Sequence, residues 1–262
     1  MPQTDPVLIF DLDGTILRTN SFPIWALMML LGQAPHLRRR ERLALSLRVQ
    51  RLLVRRRLRG YSHAVLMRDL QSIWRDAIAS DGDGHMAARL QATLIRLVRP
   101  ALEPVLQAVA RGEHDAVLAT AAAGEYAEPL GKALGFSAIL ATPALRDGIY
   151  TANNTGERKR EAVLAWLAHR GWTDRLRIFF NDEMADLPLM KESHAVCWFG
   201  RDRDLARLRA AAPGVRIVPC RNLRANELRA TLAHLSQSLA AGQLAGIPTA
   251  SVTGPGRVRI SL

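Results

Sequence analysis

Only two of the 262 residues are cysteine, Cys197 and Cys220. Two thiols cannot build a disulfide framework or a four-thiolate zinc site. Both sit in apolar, strand-like runs, which suits core packing. Aromatic residues make up 5% of the chain. With no reading motif either, nucleic-acid binding has little support. Long apolar runs are missing as well. The longest, Phe22 to Gly32, carries Pro23 and falls short of the roughly 20 residues that cross a bilayer. No basic segment followed by an apolar run and a cleavage site opens the chain, so a soluble, cytoplasmic protein is expected. Lysine is almost absent (Lys132, Lys159 and Lys191), yet Lys+Arg totals 36 against 24 Asp+Glu, so the net charge of +12 is carried by arginine. That balance suits anionic partners, or else a solvated arginine-rich surface.

What is present is enough apolar material, 48%, for a sizeable core in one large domain or one domain with an insert. Val7 to Phe10 is a short, continuous apolar run, expected as a strand buried on both faces. Residues 20–97 change character: apolar residues recur at helical spacing in three stripes. These are Leu45, Val49, Leu52 and Leu53; then Leu66, Leu70, Ile73 and Trp74; then Leu90, Leu94 and Leu97. Asp81 to Gly84 reads as a turn between helices. From Pro100 strands and helices alternate. Strands are expected at Ala116–Ala119 (ending at Thr120), Ala138–Leu140, Leu176–Phe180, Ala195–Phe199 and Val215–Val218, with a hairpin turn at Asp147-Gly148. The pattern predicts an α/β, Rossmann-like, mostly parallel sheet with helices on both faces. Residues 1–19 and 98–222 would form its core, 20–97 an all-helical insert, 223–240 a last helix and 241–262 a flexible tail.

In such a sheet ligands bind beyond the carboxyl ends of the strands. The first strand runs into Asp11 and Asp13, the second into Thr120, and the fourth into Asp182, with Asp186 four residues on. Lys159 opens the helix before the fourth strand. Carboxylates gathered at one rim repel unless a cation neutralises them, and an all-oxygen donor set favours Mg²⁺. Asp182 has no basic residue beside it in the sequence.

Four segments in this order resemble the motifs of the haloacid dehalogenase superfamily. They are Ile9-Phe10-Asp11-Leu12-Asp13-Gly14-Thr15, Leu118-Ala119-Thr120, Lys159, and Asp182-Glu183-Met184-Ala185-Asp186-Leu187-Pro188. The helical insert between the first two, with Pro129, Leu134-Gly135-Phe136 and Gly156 to Lys159, is similar to the phosphoserine-phosphatase-like branch with its α-helical cap. The resemblance implies a phosphatase in which Asp11 is the nucleophile and Asp13 the acid and base. Thr120 and Lys159 would hold the phosphate, lined also by Gly14, Thr15 and Ala121. Mg²⁺ would be bound by Asp11, Asp13 (through its main-chain carbonyl), Asp182 and Asp186. An acid at the position of Asp13 favours phosphate transfer over dehalogenation. Arg158 is an alternative to Lys159. Asn181 and Glu183 depart from the family's small residues there; asparagine tolerates left-handed backbone, which would preserve the turn.

Arg38 to Arg59 holds ten arginines and one acid, Glu41, so +9 of the +12 is concentrated there. Three readings stay open: attraction of an anionic phosphorylated substrate, contact with an anionic membrane surface beside Phe22 to Leu31, or a solvated outer face. A non-catalytic or membrane-surface binding protein of the same fold is the alternative to the phosphatase.

Overall fold

The computed structural model describes residues 5–144 and 152–241, apart from 61, 80 and 83. The expected hairpin at Asp147-Gly148 and the tail beyond 241 lie outside them. The strands are β1 (Val7–Phe10), β2 (Ala116–Ala123), β3 (Ile139–Thr142), β4 (Arg177–Asn181), β5 (Ala195–Trp198) and β6 (Arg216–Pro219). They form one sheet in the order β3-β2-β1-β4-β5-β6, and every pairing is parallel. The chain leaves β1 in one direction and returns on its other side at β4. The switch point of the sheet therefore lies between β1 and β4, where a ligand crevice opens in such folds.

Period-two alternation sorts the strand residues between two apolar layers. Leu8 and Phe10 of β1, Leu118 of β2, Ile178 and Phe180 of β4 and Cys197 of β5 face one layer. Val7, Ile9, Val117, Phe179 and Val196 face the other. Phe10 stacks on Phe180 with ring centroids 4.2 Å apart, and Phe136 meets Phe10 edge-on. Cys197 and Cys220 are free and buried.

The helices are α1 (Ser21–Leu30), α2 (Arg39–Arg59), α3 (His63–Ile78), α4 (His85–Ile95), α5 (Glu103–Ala110), α6 (Gly124–Ala133), α7 (Glu157–His169), α8 (Leu187–Lys191), α9 (Leu205–Ala211) and α10 (Ala225–Ala240). Residues of α5, α6 and α10 cover the first layer, and those of α7, α8 and α9 the second. Helices α1 to α4 are inserted between β1 and β2. Leu45, Val49, Leu52, Leu66, Leu70, Trp74, Leu90 and Leu94 turn inward as their spacing predicts. They join the same apolar cluster as Leu8 and Phe10, so insert and sheet share one core.

Two segments connect insert and sheet. Leu17 and Val98 form an antiparallel bridge. The Arg18 amide donates to Leu97 O at 3.0 Å and the Arg99 amide to Ile16 O at 2.8 Å. The chain thus enters and leaves the insert through a hydrogen-bonded pair beside the end of β1.

Two local expectations are corrected. Strand β2 does not stop at Thr120 but continues to Ala123. The Thr142 hydroxyl donates to Ala121 O at 2.8 Å and, as acceptor, takes the Asn154 amide at 3.0 Å. These bonds extend the β2–β3 edge past the apolar run. Asn181, in turn, needs no left-handed backbone. It is the last residue of β4, paired with Trp198, and its side-chain amide donates to Glu183 O at 2.7 Å. The turn is held by the side chain.

Candidate active site

The register explains what meets at the rim. Phe10 pairs with Leu118 on one flank and with Phe180 on the other, so the ladder of β1 stops at the same level on both sides, and Asp11 follows it. The Asp11 amide donates to Phe180 O at 3.0 Å. Beyond it the chain makes a tight turn through Leu12 to Ile16, closed by the Leu17 amide on Leu12 O at 2.8 Å. Gly14 has φ +73° in this turn. A Cβ built there would stand 1.9 Å from Asp182 Oδ2, so only glycine lets the turn lie against that carboxylate.

Lys159, in the first turn of α7, is buried and reaches back to the rim. Its Nζ donates to Asp11 Oδ1 at 2.8 Å and makes a short hydrogen bond to Asp186 Oδ2. The Gly156 amide donates to Asp186 Oδ1 at 3.0 Å. Both Asp186 oxygens are thus occupied by protein donors. Arg158 is exposed, so of the two candidate cations it is Lys159 that faces the carboxylates. Burial alone would lower the Lys159 pKa, but Asp11 and Asp186 more than offset it and raise it. One ammonium between two carboxylates leaves residual negative charge. Burial, with Asp186 and Asp13 nearby, drives the Asp11 carboxyl upward against the pull of Lys159.

Asp13 points the other way. Its Oδ1 accepts the Ser21 amide at 2.7 Å, and the Ser21 hydroxyl is 2.9 Å from the Tyr126 hydroxyl. Burial raises the Asp13 carboxyl to about 6, opposed by the Ser21 bonds. Asp182, half-buried just after β4, accepts among the described residues only a long 3.4 Å bond from the Thr15 hydroxyl. Burial, then Asp11 and Glu183, push it up to about 8. Thr120 is buried within β2, just past its pairing with β1; its Oγ1 accepts the Ala122 amide at 3.1 Å, and Ala121 follows, half-buried.

The rim therefore brings together Asp11, Asp13, Gly14, Thr15, Lys159, Asp182 and Asp186, with Thr120 and Ala121 on the neighbouring strand. Among the described residues no three His, Cys, Asp or Glu side chains already converge on one point as a metal cage. The donors still fit a hard divalent cation. Two carboxylates, Asp11 and Asp182, repel each other under burial, and among the described residues no Lys or Arg forms an ion pair with Asp182.

Three contributors were invisible in the sequence. Ser21 and Tyr126 support Asp13 from the insert and from α6. The Asn20-Ser21 pair before an apolar run is a helix-start signal, and Asn20 does cap α1, accepting the Phe22 amide at 2.8 Å, but nothing linked it to Asp13. The Arg99 guanidinium donates to Gly14 O at 2.8 Å and to Thr15 O at 3.1 Å, and lies 5.1 Å from the Phe199 ring centroid. Burial lowers its pKa while Asp182 opposes that, so Asp182 does have a basic neighbour in space.

Comparison with known proteins adds the following. A family model described as haloacid dehalogenase-like hydrolase matches residues 8–191. A search of curated proteins found no match. Among solved structures, a protein of unknown function from Bordetella pertussis Tohama I is similar with TM-score 0.62 and 20% identity, over 83% of this chain and 100% of that one. A probable phosphoserine phosphatase from Vibrio cholerae gives 0.59 and 13%, over 93% and 70%. A phosphoserine phosphatase solved as a phospho-aspartyl intermediate analogue gives 0.50 and 11%, over 88% and 98%. These likenesses concern the fold.

Proposed function

Since the chain belongs to the haloacid dehalogenase-like hydrolases, we propose that it is a Mg²⁺-dependent phosphatase of small phosphomonoesters, acting through an aspartyl-phosphate on Asp11. The observation that carries this reading is the Lys159 bridge. It fixes Asp11 Oδ1 while, among the described residues, Oδ2 has no hydrogen-bond partner. The second carboxyl two residues on, Asp13, is held separately by Ser21. Similarity in fold to proteins named as phosphoserine phosphatases supports the same class.

In the proposed reaction Asp11 Oδ2 attacks phosphorus while the bond to the leaving oxygen breaks. Asp13 gives that oxygen a proton. Water then attacks phosphorus, Asp13 takes its proton back, and the bond to Asp11 breaks to release inorganic phosphate. A group with its pKa near 6 suits both halves of that exchange. Lys159, the Thr120 hydroxyl and the main chain of Gly14, Thr15 and Ala121 would hold the phosphoryl oxygens. Asp11, Asp182 and the Asp13 carbonyl would hold Mg²⁺, with Asp186 acting through water because its oxygens are engaged. When bound, the cation supplies the charge neutralisation that lets a carboxylate approach an anionic phosphate.

The test is hydrolysis of a generic aryl phosphate with Mg²⁺ and with EDTA. Turnover that requires Mg²⁺ is expected. A rate unaffected by EDTA, or none in either, sinks the reading. A panel of phosphorylated metabolites, lipid phosphates included, then names the substrate.

A further inference from the structure

Helix α2 carries two apolar stripes. Leu45, Val49 and Leu52 face the core. At 100° per residue, Leu43, Leu47, Val54 and Leu58 fall within about 60° of one another on the opposite side. Their exposures are 61, 38, 49 and 77%. Leu27 and Leu31, at 50 and 59%, are exposed on and just after the neighbouring α1. Six of the seven exposed large apolar residues described thus lie on α1, its C-terminal cap and α2. The two helices approach closely: a Cβ on Gly32 would lie 3.2 Å from both Arg42 O and Ser46 Oγ. Leu31 therefore sits beside the first turns of α2.

The stripe is bordered by cations. By helical geometry Arg39 and Arg57 flank it on one side, Arg40 and Arg51 on the other. All four are exposed. Among the described residues none of them has an acidic partner, whereas Arg48, further round the helix, pairs with Asp76 at 2.6 Å. An apolar strip edged with unpaired arginines is the pattern of a helix that lies in a membrane interface, its apolar face among the acyl chains and its cations at anionic headgroups. Charge argues against a second copy of this chain, since the segment carrying +9 would face itself. A strip of leucines at the centre is also no surface for a phosphate backbone. No described helix is long and apolar enough to cross a membrane, so contact would be in the plane.

We propose that the outer face of α2 docks this protein on an anionic lipid surface. Helix α2 packs on α1 and α3 and supplies none of the residues gathered at the catalytic rim. The proposal therefore does not depend on the phosphatase reading.

Vesicle co-sedimentation of the full chain tests it, with phosphatidylcholine alone and in equal mixture with phosphatidylglycerol. Binding should be at least about tenfold tighter to the anionic vesicles, and should weaken between about 0.1 M and about 1 M salt as the screening length shrinks from about 10 Å to about 3 Å. The variant Leu43→Ser/Leu47→Ser/Val54→Ser/Leu58→Ser should lose at least about tenfold of that binding, with its circular dichroism and aryl-phosphate turnover unchanged. Should it fail to fold, Arg39→Gln/Arg40→Gln/Arg51→Gln/Arg57→Gln serves, and should lose the preference for anionic vesicles. The proposal is overturned if the wild type ignores anionic vesicles, or if the folded variants bind as the wild type does. It is also overturned if the serine variant instead abolishes a dimer seen by light scattering without any vesicle binding, or if a short DNA duplex displaces the vesicles and the serine variant binds that duplex normally.

Discussion

Asp11 and Asp13 are two residues apart, yet they are held by different parts of the molecule. Lys159 grips Asp11 from α7, and Ser21 grips Asp13 from the insert. The two carboxylates are fixed by separate donors on separate elements, so each can have its own role. Asp11→Asn keeps the shape and a carbonyl acceptor for Lys159 but removes the proposed nucleophile. Steady-state turnover should fall by at least about 10³-fold, with the melting temperature little changed and fluoroberyllate trapping lost. Retained hydrolysis by the purified variant contradicts the role of Asp11. Gly14→Ala should cost at least about 1 kcal/mol for a left-handed alanine and displace Asp182, because its Cβ position is 1.9 Å from Oδ2. The expected signature is a raised Mg²⁺ requirement together with a lowered melting point.

At the scale of elements, the hydrogen-bonded segments that join insert and sheet also brace the turn through Leu12 to Ile16. Arg99 sits on the outgoing segment and bonds the carbonyls of Gly14 and Thr15. Removing it frees a turn whose position sets Asp13 and the contact with Asp182. Arg99→Ala should lower kcat by about 10- to 100-fold, the cost of loosened positioning, with Lys a partial rescue. An unchanged kcat would show that the turn holds itself. Helix α4 depends on Asp81, whose carboxylate accepts the Met86 amide at 2.7 Å and the His85 amide at 3.1 Å. Burial works to raise its pKa, but those amides and two histidines outweigh burial and lower it. A lowered carboxylate pKa contributes stability above the unfolded value of about 3.9 and loses it as pH falls through the folded value. Asp81→Ala should therefore cost about 1 kcal/mol at pH 7, roughly 2–4 °C in melting temperature for a chain of this size. The gap to wild type should close as the pH falls below that unfolded value.

At the scale of the molecule, insert and sheet share one apolar cluster running from Leu8 to Trp74 and Leu94, so unfolding should be a single transition that reports on the site. A cation that binds only the folded chain stabilises it by about 2.7 kcal/mol at a hundredfold excess over its Kd. Mg²⁺ should raise the melting temperature by several degrees, and Asp182→Asn should abolish that rise while leaving the metal-free melt nearly unchanged. A full Mg²⁺ shift in Asp182→Asn would remove Asp182 from the ligand set.

What the sequence determined by itself was whatever depends on local pattern. The unbroken apolar run at Val7 to Phe10 reads as a strand covered on both faces, and it is one. The 3.6-residue stripes put Leu45, Leu70 and Leu94 inward. Asp11, Asp13, Lys159 and Asp182 stood at strand and helix ends, where a parallel sheet must bring ends together. Tertiary structure decided what depends on distance through space. The partners of Arg99 are main-chain carbonyls 84 and 85 residues away, and carbonyls carry no residue identity to read. Asn181 offered a backbone explanation, but its side chain found Glu183 O instead. On α2, apolar residues occur on both faces, so periodicity named the stripe that packs and not the one left bare. Only packing against α1 and α3 chooses between them, because burial belongs to the neighbours as much as to the helix.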